Sequence, residues 1–270
     1  MYEIMFNLSV TSIAQGLLLG IVALGVVIAF RFVDFPDLTV DGSFVLGAAV
    51  SAKLIFGGMN PFLATILVIP FGALAGMVTG LLHVKLGVGR LLSGILMMTM
   101  LYSVNLRVLG RSNIPLIDTP TVLSFAGRNH LLVIGLLCGV VTMLLTALVI
   151  FLRSEMGTAI RAVGESEAML AGLGFSTNLL KIICLSVTNM FAAFGGALYA
   201  QHQGYCDVTM GIGMILVALA AIVLGEAFLQ PTTPPKALLA ALIGAGLYQT
   251  IITVSIFLGL PPTDLKLVTG

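Results

Sequence analysis

Long apolar runs separated by short polar stretches make up almost the whole chain. Runs of about 20 mostly apolar residues predict membrane-spanning helices, and they fall at roughly 13–30, 61–82, 91–108, 131–152, 179–200 and 237–258. Two shorter runs, 44–56 and 212–228, are bounded by Gly and polar residues and predict short, tilted or broken helices. The roughly ten-residue alternation of a membrane β-barrel is absent, and lipid offers no water to open backbone groups. The predicted class is therefore all-α, a polytopic membrane bundle with about eight spanning or partly spanning helices. The longest polar stretches, near 109–129 and 153–178, leave no room for an aqueous domain, so 1–270 reads as one membrane domain.

Composition agrees. Only 12 Lys+Arg and 11 Asp+Glu serve 270 residues, of which 59% are hydrophobic, and the mean hydropathy is +1.16. Soluble domains carry roughly 25% charged residues, so 9% cannot cover a water-soluble globule. A net charge of +1 gives no basic face for nucleic acid. Cys138, Cys184 and Cys206 lack metal-site spacing and read as small packing residues. The first basic residue is Arg31, so the first apolar segment lacks a signal-peptide start and should be retained. Gly72, Gly76 and Gly80, and separately Gly16 and Gly20, stand at GxxxG spacing and predict close helix contacts. The basic loop with Arg153 and Arg161, and Lys181 at its exit, is the best cytoplasmic candidate; counting spans back places the N-terminus outside. Arg107, Arg111 and Arg128 then fall on the outer side.

Polar residues interrupt the apolar pattern at a few places. In Asp34-Phe-Pro36-Asp37-Leu-Thr39-Val-Asp41-Gly42-Ser43, each carboxylate held at mid-bilayer would cost on the order of 3 kcal/mol. Pro36 lacks an amide hydrogen and disfavours helix at Phe35, so a helix must break here. Thr39 and Asp41 are suited to cap the next helix, and Gly42 to a sharp turn. The segment is either an interfacial loop or a broken helix lining a pathway. On the helix ending at Arg107, Ser103 and Arg107 share a face and Asn105 lies roughly opposite. Gln201 to Asp207 reads as interfacial polarity, and Glu226 as a membrane-edge residue or a buried hinge partner.

No phosphate loop, HExxH, CxxC or GxSxG occurs, so no nucleotide-binding, cofactor or enzymatic seat is visible in the sequence. A solute carrier without such a motif uses an ion gradient or receives force from a partner. Within 153–178, a short amphipathic helix is predicted, with Ser166 as its cap, Glu165 and Glu167 at its positive end, and Gly172 or Gly174 at its close. Such a helix is either a handle for a partner or only an interfacial loop. The gradient-driven alternative is a secondary transporter with Asp34, Asp37 or Asp41 as ion sites.

The segment 34–43, Asn105-Leu106-Arg107, Gly157-Thr-Ala-Ile-Arg161-Ala-Val-Gly164-Glu165 and Leu219-Ala-Ala-Ile-Val-Leu-Gly225-Glu226 together resemble the permease subunits of ABC importers. The similarity is to the branch shared by branched-chain amino acid and ribose permeases, nearest the tryptophan/tyrosine type. It implies a type II importer fold in an inner membrane, working as a homodimeric pair of permease copies with two cytoplasmic ATPase subunits and an extracytoplasmic solute-binding protein. It also implies that the ATPase docks on the loop carrying Gly157, Arg161, Gly164, Glu165, Glu167, Ala168 and Gly172. In an alternating-access mechanism of this kind, Asp34, Pro36, Asp37, Thr39, Asp41, Ser43, Asn105 and Glu226 are expected to form the path or gate. The match to the EAA-type loop is partial, because Met169 follows Glu167-Ala168. Relatives also continue beyond the 261–269 stretch into a last helix with a basic end, so a terminal span is expected to be absent or cut.

Overall fold

The computed structural model describes residues 2–117, 119–126 and 130–258. Eleven helices run α1 (Tyr2–Val33), α2 (Thr39–Phe56), α3 (Pro61–Ile66), α4 (Val68–Leu86), α5 (Arg90–Leu109), α6 (His130–Arg153), α7 (Glu155–Glu165), α8 (Glu167–Gly172), α9 (Thr177–Gln203), α10 (Met214–Leu229) and α11 (Pro234–Phe257) among the described residues. Seven stretches are long and apolar enough to cross a membrane, α3 and α4 counting as one, and α10 is a shorter apolar helix. The expected all-α bundle is present. Pro70 explains the α3–α4 joint, since it has no N–H to offer the Ile66 carbonyl one turn back.

Helix α9 is the centre of the bundle, packed by α1, α2 and α4, while α11 lies along α1 and α10. Glycines permit these approaches. A Cβ on Gly76 would collide with the Leu185 carbonyl of α9, one on Gly80 would lie 2.9 Å from Ile182 Cα, and Gly72 abuts Asn189. Gly16 and Gly20 meet α11 at Gly246 and Leu242. Both predicted small-residue stripes are thus contact faces. Outside the membrane, β1 (Asn113–Pro115) and β2 (Tyr205–Asp207) form an antiparallel ladder with Ile114 opposite Cys206. The ladder continues through Leu116 N–H to the Gly204 carbonyl at 2.7 Å and Val208 N–H to the Ser112 carbonyl at 3.1 Å. It joins the exit of α5 to the exit of α9.

Arg31, Lys85, Arg90, Arg153, Arg161, Lys181 and Lys236 lie at the end of the bundle that carries α7 and α8, against Lys53, Arg107 and Arg111 at the ladder end. The positive-inside rule turns the α7–α8 end to the cytoplasm.

Two expected boundaries differ. Helix α2 begins at Thr39, not near residue 44, so Asp41, Gly42 and Ser43 are helical. Gly42 makes no turn; a Cβ there would lie 2.8 Å from Leu101 Cδ1, so the glycine lets α5 approach. The 153–178 loop holds two helices, not one, because Ser154 caps an additional helix, α7. Arg128 and the 261–269 stretch lie outside the described residues.

Candidate functional site: the break after α1 and the inner helical pair

Helix α1 ends at Val33, and Asp34 takes a left-handed conformation with φ of 53°. The next amide, Phe35 N–H, then reaches back to the Ala29 carbonyl at 2.9 Å, which satisfies one of the helix's last carbonyls. Arg90, in the first turn of α5, fixes this corner. Its Nη1 donates to the Asp34 carbonyl at 2.8 Å and lies 3.3 Å from the carboxylate Oδ2. Pro36 then prevents helix from resuming at once, and residues 34–37 stay non-helical. Phe35 and Asp37 are buried there.

Asp37, not Thr39, starts α2: its Oδ1 accepts from Thr39 N–H at 3.0 Å. Its Oδ2 accepts from Asn189 Nδ2 on α9 at 2.6 Å. The Thr39 hydroxyl meets the Thr79 hydroxyl of α4 at 2.7 Å. One turn further on, Asp41 caps a different helix. Its Oδ2 accepts from Gly213 N–H at 2.8 Å and its Oδ1 from Ile215 N–H at 2.7 Å, so a carboxylate faces the positive end of α10. Asn105 donates from Nδ2 to the Gly42 carbonyl at 3.1 Å. Its Oδ1, Asn189 Oδ1 and Ser43 Oγ are buried without a protein partner. A cavity of about 30 Å³ beside Asp41, Asn105 and Gly211 has room for a single water.

The three acids do not converge. Asp34 pairs with Arg90, Asp37 with Thr39 and Asn189, and Asp41 with α10 amides. Each of the acids suggested as an ion site is thus engaged by its own protein donors. Glu226 stands apart, 3.2 Å from Arg31 Nε at the inner end.

At that end, Ser154 Oγ accepts from Gly157 N–H to start α7, and Ser166 Oγ accepts from Met169 N–H to start α8, both at 3.3 Å. The α8 cap is the one expected from sequence. Gly157 and Gly164 face inward: side chains there would strike the Phe151 and Phe32 carbonyls. Arg161 lines inner-end cavities beside α11. Glu167 anchors α8 to α9, accepting from Lys181 Nζ at 2.6 Å and from Thr177 Oγ1 at 3.2 Å. These contacts, Lys181 foremost, hold the Glu167 carboxyl below its ordinary range. Ala168, Met169, Gly172, Leu173 and Phe175 remain exposed, and Gly174, with φ of 86°, turns the chain back toward α9.

Some structural residues carry only a weak sequence signal. Asn189 and Thr79 sit inside predicted spans, where a polar residue amid apolar ones is the sole hint. Gln201 is not merely interfacial: it is buried, accepts from Val122 N–H at 2.9 Å and donates to Thr65 Oγ1 at 2.8 Å.

Nearly the whole chain matches one known family in sequence. The model for the permease component of branched-chain amino acid transport systems matches residues 8–269. The chain belongs to this ABC-type permease family. The tyrosine transport system permease protein of Clostridioides difficile (strain R20291) is 39% identical over 261 residues, covering 97% of this chain and 87% of that protein. The uncharacterized protein RP368 of Rickettsia prowazekii (strain Madrid E) is 35% identical over 268 residues, 98% of this chain and 94% of that one. The ribose import permease protein RbsC of Escherichia coli (strain K12) is 28% identical over 198 residues, 70% of this chain and 60% of that one. No solved structure matches significantly. Members of the family are transport components. With its seven apolar spans, the chain is a multi-pass protein of a bacterial inner membrane.

Proposed function

We propose that the chain is the membrane-spanning subunit of an ATP-driven importer of an amino acid, working as two copies with two cytoplasmic ATPase subunits and an extracytoplasmic binding protein. The observation that carries this reading is α8, a capped six-residue helix held to α9 by Glu167 and Lys181 while Ala168, Met169 and Gly172 stay exposed. A helix so anchored passes force to the bundle. Glu165, Glu167, Ala168 and Gly172 form or support the docking face, whereas Gly157 and Gly164 serve as its hinge contacts on α6 and α1. Likeness to the tyrosine permease of Clostridioides difficile supports an amino acid, aromatic by the same analogy, as cargo.

The gate is the break at 34–38 with the start of α2. Asp37 and Asp41 tie that start to α9 and α10, so a shift of α9 transmitted from α8 acts on the break directly. The test is uptake into proteoliposomes. With ATPase and binding protein supplied, labelled tyrosine should accumulate only when ATP is present on the ATPase side. Full-speed accumulation by vesicles holding this chain alone would overturn the proposal.

A further inference from the structure

Two adjoining cavities at the inner end belong neither to the break after α1 nor to the exposed tip of α8. One, about 300 Å³, lies between the end of α6 and the start of α11, with Val149, Leu152, Pro234 and Pro235 as its apolar wall and Arg153 and Arg161 at its mouth. The other, about 410 Å³, is lined by Arg31, Glu165 and Thr232 and shares Arg161, Thr233 and Pro234 with the first. Arg161 lines both.

We propose that the α6–α11 groove holds an anionic phospholipid of the inner leaflet, its phosphate between Arg153 and Arg161 and the start of an acyl chain against Val149 and Leu152. Charge favours such a ligand. Arg31 lies 3.2 Å from the Glu226 carboxylate without a well-aligned hydrogen bond, whereas Arg153 and Arg161 form no ion pair among the described residues. An unmet donor favours it as well: Arg161 Nη2 donates to Thr158 Oγ1 at 3.2 Å, while its buried Nε has no acceptor. A phosphate oxygen supplies one. Two carboxylates share cavity linings with these arginines, Glu155 with Arg153 and Glu165 with Arg161, but form no ion pair with them among the described residues, so they soften the positive field without closing it.

Position selects lipid over a soluble anion. Val149 and Leu152 lie in the span His130–Arg153, and Pro234 and Pro235 open the span Pro234–Phe257, so the apolar wall continues into the hydrocarbon and the arginines sit at its cytoplasmic edge. Basic pockets between spans on this side suit anionic headgroups. The two prolines have no N–H to present, which leaves anion recognition to the arginine side chains. Arg161 accordingly serves the membrane, whatever the cargo or the motor.

The experiment is native mass spectrometry of detergent-purified protein titrated with phosphatidylglycerol, with phosphatidylcholine and inorganic phosphate as controls. The wild type should retain phosphatidylglycerol preferentially, and each lost arginine should lower retention about fivefold. Arg153→Gln/Arg161→Gln should abolish the preference, whereas Lys53→Gln at the opposite end should not. Should the double variant not stay monodisperse, Arg153→Gln alone, on an exposed residue, carries the test. Unchanged preference in a folded arginine variant overturns the proposal. So does equal protection by inorganic phosphate, which would make the site one for soluble anions.

Discussion

Asp41 and Ile215, 174 residues apart, are joined by a 2.7 Å hydrogen bond from the Ile215 amide to the Asp41 carboxylate. The acid in the first turn of α2 thereby acts as the cap of α10, which has no capping side chain of its own. In a membrane, uncapped helix amides have no water to turn to, so one carboxylate fixes where α10 begins and how it meets α2.

Asp41→Ala should therefore leave the Gly213 and Ile215 amides unpaired and destabilise the protein by about 3 kcal/mol. Asp41→Asn keeps one acceptor oxygen, so one of the two amides loses its partner along with the charge at the helix end, about 2 kcal/mol. Thermal unfolding in detergent should rank wild type above Asn and Asn above Ala. Equal losses in the two variants would mean that the cap is not what the carboxylate supplies.

The Glu167–Lys181 pair gives a prediction with a sign in pH. Glu167 titrates below its ordinary value when folded, so its contribution is present above the unfolded carboxylate pKa and fades as pH falls through the lower folded value. The side chain is 41% exposed against 7% for Lys181, so solvent screening holds the pair to at most about 1 kcal/mol. Glu167→Gln should lower stability near neutral pH and match wild type in acid. In the reconstituted importer, Glu167→Lys should leave ATP hydrolysis running without uptake.

Glycine substitutions separate contact from free surface. Gly76→Ala drives a methyl into the Leu185 carbonyl and should cost about 1–3 kcal/mol or prevent folding. Gly139 has open space around it, and Gly139→Ala should be neutral or stabilise α6 by up to about 1 kcal/mol. Expression and melting temperature of the two variants, compared side by side, check this.

Asp34 occupies a left-handed position that β-branched residues avoid. Asp34→Val should cost about 1–2 kcal/mol from backbone strain, beyond the loss of Arg90. Asp34→Gly relieves the strain and loses only the carboxylate, since Arg90 still reaches the main-chain carbonyl at 2.8 Å. Its melting temperature should stay close to wild type.

How much of this was legible in the sequence varies by residue. Long apolar runs announced the spans, and the spacing of Gly72, Gly76 and Gly80 announced a contact face, because both signals are local. Pro36 announced the break for the same reason. The start of α2 was not legible: Asp41, Gly42 and Ser43 look like loop until one knows that the carboxylate is consumed by a helix 172 residues away. Helix α7 was hidden although Ala159, Ile160 and Val163 stand on its buried face, because Gly157 and Gly164, poor helix formers, bracket them. Asn189 is inconspicuous within an apolar span until its partner across the bundle, Asp37, is known.

The β1–β2 ladder fastens the outer ends of α5 and α9 through main-chain bonds, whereas at the inner ends Arg90 and Lys181 reach Asp34 and Glu167 with their side chains. On the coupling proposed above, a push on α8 would work against that outer corner. The ladder thus sets the spacing of the two helix exits on one side and leaves their cytoplasmic ends to be tied separately, one through Asp34 and the other through α8.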